Sequence, residues 1–202
     1  MTRIKLCGMT RPGDIEAVNE LKPDYIGFVF APASRRCVTL QQAQVLKAAL
    51  SPQITSVGVF VNESLNTVAE LLHIGVIDIA QLHGSESEEY IQSLKAMTGK
   101  PVIRAFRIRS EQDVRSAQEC GADHILLDSG TGSGMRFNWE LLHGLNRPYF
   151  LAGGLDAENV PLAVRTLRPW AVDVSSGIET DGGKDPNKMA AFVAAVRKED
   201  QP

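Results

Sequence analysis

Apolar residues along this chain fall into short continuous runs. Between the runs, apolar positions recur every three or four residues instead. The runs are IKLCG, DYIGFVF, ITSVGVFV, VIDIAQLH, KPVIRAF, DHILLD, RPYFLAGG and PWAVDVSSG, with centres near residues 5, 27, 58, 80, 103, 126, 151 and 173. Each is too short for a stable helix and most are rich in Val, Ile and Phe, so each predicts a strand. The stretches between them predict helices. GDIEAVNEL has Asp14 as a cap and Ile15, Val18 and Leu21 at helical spacing. TLQQAQVLKAAL starts at Thr39, NESLNTVAELLH near Asn62 or Ser64, and SEQDVRSAQECGA at a capping Ser110. SESEEYIQSLKAM places acids in its first turn, where the helix dipole favours them. DAENVPLAVRTL begins at Asp156 and DPNKMAAFVAAVRKED closes the chain. Only the sixth connection is short of helix, with FNWELLHGL leaving room for about two turns.

Eight strand–helix units in series predict parallel strands with crossover helices. Continuous apolar strands fit a sheet covered on both faces. Eight units close into a (β/α)8 barrel, the TIM-barrel architecture of the α/β class, although ~250 residues is the more usual length. An open doubly wound sheet is the alternative, but no Gly-x-Gly-x-x-Gly follows the first run. No linker or low-complexity segment divides the chain, so residues 1–202 are expected to form one domain, with 198–202 as a short polar tail.

Composition narrows the partners. With a formal net charge of −3, the chain has no global basic field for nucleic acid or an anionic membrane. No apolar run reaches the ~18 residues of a membrane span, and the N-terminus lacks a signal-peptide pattern. Cys7, Cys37 and Cys120 are odd in number and lack metal-ligand spacing. Reduced thiols and a cytoplasmic location are expected.

Barrel enzymes carry their reactive groups at the C-terminal ends of the strands. Those ends here carry Cys7, FAPASRR, Asn62, Gln81 and His83, Arg104 and Arg107, Asp128, Gly153-Gly154, and Ser175-Ser176-Gly177. A packed core alone does not gather polar groups in this way. Residues two apart share a strand face, so Lys5 and Cys7, Gln81 and His83, and Leu126 and Asp128 form same-face pairs. Facing the barrel interior, Lys5 would lie ~7 Å from Cys7 and lower the thiol pKa, or else form a structural ion pair. Cys7 itself could simply pack as a small hydrophobe, and Asp128 could cap the next segment. Desolvation behind HILL would keep Asp128 neutral. The Gly-rich SGTGSGMRF that follows has the composition of a loop that closes over a ligand.

LAGGLDAENV and DVSSGIE follow the seventh and eighth runs, where phosphosugar barrels bind phosphate through loop N–H groups. Gly153 and Gly154 permit close backbone approach, and Ser175 and Ser176 add hydroxyls. Arg35-Arg36 lies across the mouth from these loops, where an Arg fork suits a ligand carboxylate. His83 is open to three readings: core residue, general base, or donor to substrate.

Taken in order, IKLCGMT, DYIGFVFAPASRR, VGVFVNE, QLHGSES, LLDSGTGSG, FLAGGLDAENV and AVDVSSGIE resemble the phosphoribosylanthranilate isomerases of tryptophan biosynthesis, from residue 3 to about 195. Leu6, Met9 and Asn138 depart mildly from the family pattern. The resemblance implies an Amadori rearrangement of N-(5-phosphoribosyl)anthranilate to 1-(2-carboxyphenylamino)-1-deoxyribulose 5-phosphate, with no cofactor and no metal. It assigns Cys7 as general base and Asp128 as general acid. It places Arg36 on the anthranilate carboxylate, and His83, Gly153, Gly154, Ser175, Ser176 and Gly177 on the substrate. The partner is a small phosphorylated molecule, and the chain is a monomer or homodimer. Two rivals are kept: another phosphosugar-barrel enzyme, whose proton transfers would use Asp or Lys at strand ends, and a silent phosphate-binding module.

Overall fold

The computed structural model describes residues 1–128 and 139–200. Eight parallel strands close into a barrel in sequence order. They are β1 (Arg3–Cys7), β2 (Tyr25–Val29), β3 (Thr55–Phe60), β4 (Ile79–Leu82), β5 (Val102–Arg107), β6 (His124–Asp128), β7 (Tyr149–Leu151) and β8 (Ala171–Val174). Closure is made by β1 pairing with β8, with Lys5 level with Asp173. The predicted architecture is the one observed.

Among the described residues, seven α-helices pack outside the barrel: α1 (Pro12–Leu21), α2 (Leu40–Ala49), α3 (Leu65–His73), α4 (Glu88–Thr98), α5 (Glu111–Glu119), α6 (Val160–Leu167) and α7 (Pro186–Glu199). Their starts follow local side-chain chemistry. Thr39, Ser64, Ser87, Ser110 and Asp185 each accept a backbone N–H of the first turn, satisfying donors that the helix leaves unpaired. Two starts differ from expectation. Arg11 occupies the position before α1, while Asp14 sits inside the first turn and accepts the N–H groups of Thr10 and Arg11. Asp156 holds a turn through Glu158 and Asn159, and α6 begins at Val160. The sixth connection carries a 3-10 helix, Trp139–Gly144, as its short pattern suggested. Residues 198–200, expected in a tail, are held in place. Glu199 ends α7 and pairs with Arg165, and Asp200 accepts the N–H and hydroxyl of Thr2.

Alternation along the strands divides the core in two. Ile4, Leu6, Ile125 and Leu127 pack toward the helices. Val57, Ile79, Ile103, Leu126 and Phe150 fill the barrel interior, and Cys7, Val29 and Val59 form a small apolar layer above them. Lys5 and Cys7 therefore share the inner face, as predicted.

After β8 the chain adds a small antiparallel hairpin, β9 (Glu179–Thr180) and β10 (Gly183–Lys184). Asp181 and Gly182 turn it with φ of 51° and 82°, the positive values that two-residue hairpin turns require. The hairpin carries Glu179 and Lys184 to the barrel mouth.

Candidate active site

A pocket of about 660 Å³ opens at the C-terminal mouth. Cys7, Arg36, His83 and Asp128 line it, and Gly153, Gly154, Ser175 and Ser176 form one rim. Eight of the nine candidate residues thus meet in one cavity. The ninth, Gly177, lies behind the rim, where a Cβ would collide with the Leu155 carbonyl oxygen. Its missing side chain lets the loops after β7 and β8 meet. Of the two arginines on β5, Arg107 lines the pocket. Arg104 turns away to Glu86 at 2.6 Å and to the carbonyls of Leu82 and Gly84. The SGTGSGMRF segment lies outside the described residues.

Cys7 ends β1 with its side chain on the inner face and is 7 % exposed. Room for its sulfur comes from Gly27, its register partner on β2, where a Cβ would sit 2.5 Å from Sγ. A glycine inside the YIGFV strand signals such a close approach. Lys5 is fully buried and pairs with Asp173 at 2.9 Å. Burial would lower the Lys5 pKa, but the charges of Asp173 and Cys7 outweigh it and raise it. The ion pair and the interaction with Cys7 therefore coexist. The expected lowering of the thiol pKa does not follow. Burial pushes the Cys7 thiol up, Asp173 adds to the rise, and the opposing pull of Lys5 and Lys184 is the weaker effect.

Asp128 ends β6 with its side chain 23 % exposed, more open than the HILL run suggested. Its Oδ2 lies 3.5 Å from His83 Nε2, so the two share one side of the pocket.

Arg36 is held by a residue that the strand-end reading overlooked. Glu179 accepts from Arg36 Nε at 2.5 Å and from Nη2 at 2.8 Å. This side-on fork fixes the guanidinium plane and leaves Nη1 outside the fork. Glu179 also accepts from Lys184 Nζ at 2.7 Å. Lys184 in turn reaches the carbonyl of Ser175 at 2.8 Å, and the Ser175 hydroxyl donates to the Cys7 carbonyl at 3.1 Å. One network thus links the arginine, the phosphate-type rim and the end of β1. Burial would raise the Glu179 pKa, but hydrogen bonds from Arg36 and Lys184 override it and hold the carboxyl at about 2. The Asp181-Gly182 turn dipeptide was the available signal for this hairpin.

On the rim, Gly153 and Gly154 have φ of 93° and 65°, a region that penalises any side chain. The loop they shape lies beside the one carrying Ser175 and Ser176, since β7 and β8 are paired strands.

Barrel and pocket define the class: a (β/α)8 enzyme whose mouth gathers Cys7, His83 and Asp128 beside a small-residue rim. The comparisons make this specific. The family model described as N-(5'-phosphoribosyl)anthranilate (PRA) isomerase matches residues 4–195. An N-(5'-phosphoribosyl)anthranilate isomerase of Thermoanaerobacter sp. (strain X514) is 44 % identical over 204 residues, covering 98 % of each chain. The phosphoribosyl anthranilate isomerase of Thermotoga maritima superposes with a TM-score of 0.91 at 35 % identity, covering 98 % of this chain and 100 % of that one. A further isomerase, solved in complex with reduced 1-(o-carboxyphenylamino)-1-deoxyribulose 5-phosphate, gives a TM-score of 0.88 at 34 % identity, with 98 % and 100 % covered. The chain belongs to the N-(5'-phosphoribosyl)anthranilate isomerase family.

Proposed function

We propose that this chain performs the family's Amadori rearrangement with Cys7 as general base and Asp128 as general acid. The reaction is the isomerisation of N-(5'-phosphoribosyl)anthranilate, an aminoaldose, to 1-(2-carboxyphenylamino)-1-deoxyribulose 5-phosphate in tryptophan biosynthesis. The observation that carries the assignment is the convergence of Cys7, Asp128, Arg36 and the glycine–serine rim on one cavity. A relative binds a reduced analogue bearing both a phosphate and a carboxyphenyl group. In this pocket the phosphate takes the rim of Gly153, Gly154, Ser175 and Ser176. The benzoate takes Arg36 at its open Nη1 end. Gly177 serves by letting the two rim loops meet.

Between these anchors the sugar is held beside both titratable groups. Asp128 protonates the furanose oxygen as the C1–O bond breaks, leaving a cationic Schiff base. The C2 proton is now acidic, and the Cys7 sulfur removes it to give the enolamine, which tautomerises to the ketone. Burial favours the neutral thiol before substrate arrives. The iminium charge formed in the first step favours loss of the thiol proton to water at the open mouth, leaving the thiolate that the second step needs. His83 donates to substrate or to Asp128 and takes no proton itself.

No helix among the described residues is long and apolar enough to cross a membrane. Cys7, Cys37 and Cys120 are free thiols, which supports a reducing, cytoplasmic setting. We take the working unit to be a monomer or homodimer acting on a small molecule, without nucleic acid. The Thermotoga maritima relative is dimeric and has also been solved as generated monomers.

The test is loss of fluorescence of freshly generated phosphoribosylanthranilate with Cys7→Ala and Asp128→Asn. Each variant should fold, keep its phosphate affinity and turn over at least ~10²-fold more slowly. A variant that keeps more than about a tenth of wild-type turnover removes its residue from the proton-transfer role.

A further inference from the structure

Gln81 takes no part in the chemistry above, yet it is 1 % exposed and lines the pocket. On the inner face of β4 its register partners are Val59 on β3 and Ile103 on β5, both apolar. Among the described residues its Oε1 has no hydrogen-bond partner. A buried amide with an unpaired oxygen opposes folding, and an apolar side chain of similar length suits the same surroundings. Stability therefore does not account for a glutamine here.

Its nitrogen does have a partner. Nε2 of Gln81 lies 3.3 Å from His83 Nδ1. The other ring nitrogen of His83 lies 3.5 Å from Asp128 Oδ2. With the NH₂ of the amide turned to the ring, as it stands here, Gln81 donates and His83 Nδ1 accepts, which puts the proton of a neutral imidazole on Nε2. That nitrogen faces the carboxylate, an acceptor when ionised. Both ends of the ring thus point to the same tautomer, with the Gln81 amide hydrogen-bonded at Nδ1 and the Asp128 oxygen 3.5 Å from Nε2.

We propose that Gln81 is a positioning residue for the isomerisation, acting through His83 by fixing the tautomer that turns an N–H toward Asp128. The proposal rests on Asp128 being the acid. When Asp128 protonates the furanose oxygen, its O–H bond breaks, a ring O–H bond forms and a carboxylate is left. The His83 N–H stabilises that carboxylate as its charge develops, an interaction stronger in the transition state than in the bound substrate. In the opposite tautomer, the Nε2 lone pair would compete with the sugar for the same proton.

The experiment compares Gln81→Met, Gln81→Leu and Gln81→Glu by urea unfolding, steady-state kinetics and ¹⁵N histidine NMR. His83 signals are assigned against His83→Asn. The Met and Leu variants should be at least as stable as wild type, with kcat roughly tenfold or more lower and KM within about twofold. Wild type should show the Nε2–H tautomer. Gln81→Glu, whose carboxylate accepts from Nδ1–H, should reverse it. The proposal fails if both apolar variants keep wild-type kcat, if kcat falls only in step with stability, or if the tautomer is unchanged in Gln81→Glu. Asp128→Asn measured alongside separates two failures. Near-wild-type turnover there overturns the acid assignment and this proposal with it. An inactive Asp128→Asn beside fully active Gln81→Met and Gln81→Leu overturns the Gln81 proposal alone.

Discussion

Replacing Glu179 by Gln keeps the shape of the side chain and removes the charge that faces Arg36 and Lys184. The carboxyl stands at about 2 in the folded protein against an ordinary 4.5. At ~1.4 kcal/mol per pH unit that difference corresponds to about 3 kcal/mol. The side chain is only 5 % exposed, but the open mouth beside it screens part of the interaction. A loss of about 2 kcal/mol at pH 7 is therefore expected for Glu179→Gln. The pH dependence tests the cause. Because the folded value lies below the unfolded one, the carboxylate's contribution is fully present above the unfolded value of 4.5 and is lost as pH falls through about 2. The stability gap between wild type and Glu179→Gln should stay constant from pH 7 to 5. By pH 3.5 it should have narrowed by roughly 40 %. Urea unfolding of both proteins at matched ionic strength measures this. A gap under about 0.5 kcal/mol at pH 7, or one that ignores pH down to 3.5, would refute the view that this charge holds the mouth together.

Arg36→Ala should weaken binding of the reduced product analogue about ten- to a hundred-fold while leaving sugar phosphates that lack the benzoate nearly unaffected, since a charged hydrogen-bonded contact is worth ~1.5–3 kcal/mol; equal losses in calorimetry for both ligand types would move Arg36 to the phosphate or to a structural role. In a Cys37→Ser/Cys120→Ser background, iodoacetamide should modify Cys7 at a rate still climbing at pH 9, because burial raises the thiol above its ordinary 9.0; a plateau at or below about pH 8.5 would show that Lys5 outweighs burial after all.

What could be read along the chain is what neighbours in sequence decide. The capping roles of Ser110 and Thr39, the alternation that sends Lys5 and Cys7 inward and Ile4 and Leu6 outward, and the reactive strand ends all arise within a few residues. Barrel closure then follows from repetition of one unit. What could not be read depends on depth and on distant partners. The Cys7 titration is a balance of burial against two lysines, and periodicity carries no measure of burial. Asp14 has the composition of a cap, yet the Thr10 and Arg11 backbone draws it inside the first turn.

The mouth network shows why such groups escape a linear reading. Arg36 and Glu179 are 143 residues apart, and each alone looks like a solvated surface charge. They meet only because β8 closes beside β1 and the chain then adds a two-residue hairpin that folds back over the loop after β2. That addition is needed because Arg36 reaches the mouth on a loop, and a lone long cation there would sample many rotamers. The Glu179 fork removes that freedom before a ligand arrives, so a carboxylate binding at the open Nη1 end meets a guanidinium already in place. The same carboxylate takes Lys184, which donates to the Ser175 carbonyl on the rim, and the Ser175 hydroxyl donates in turn to the Cys7 carbonyl. The groups that would hold the two ends of the substrate are thereby set at a fixed separation by one buried side chain, and under the proposed assignment the sugar between them would be presented to Cys7 and Asp128 without a further search for geometry.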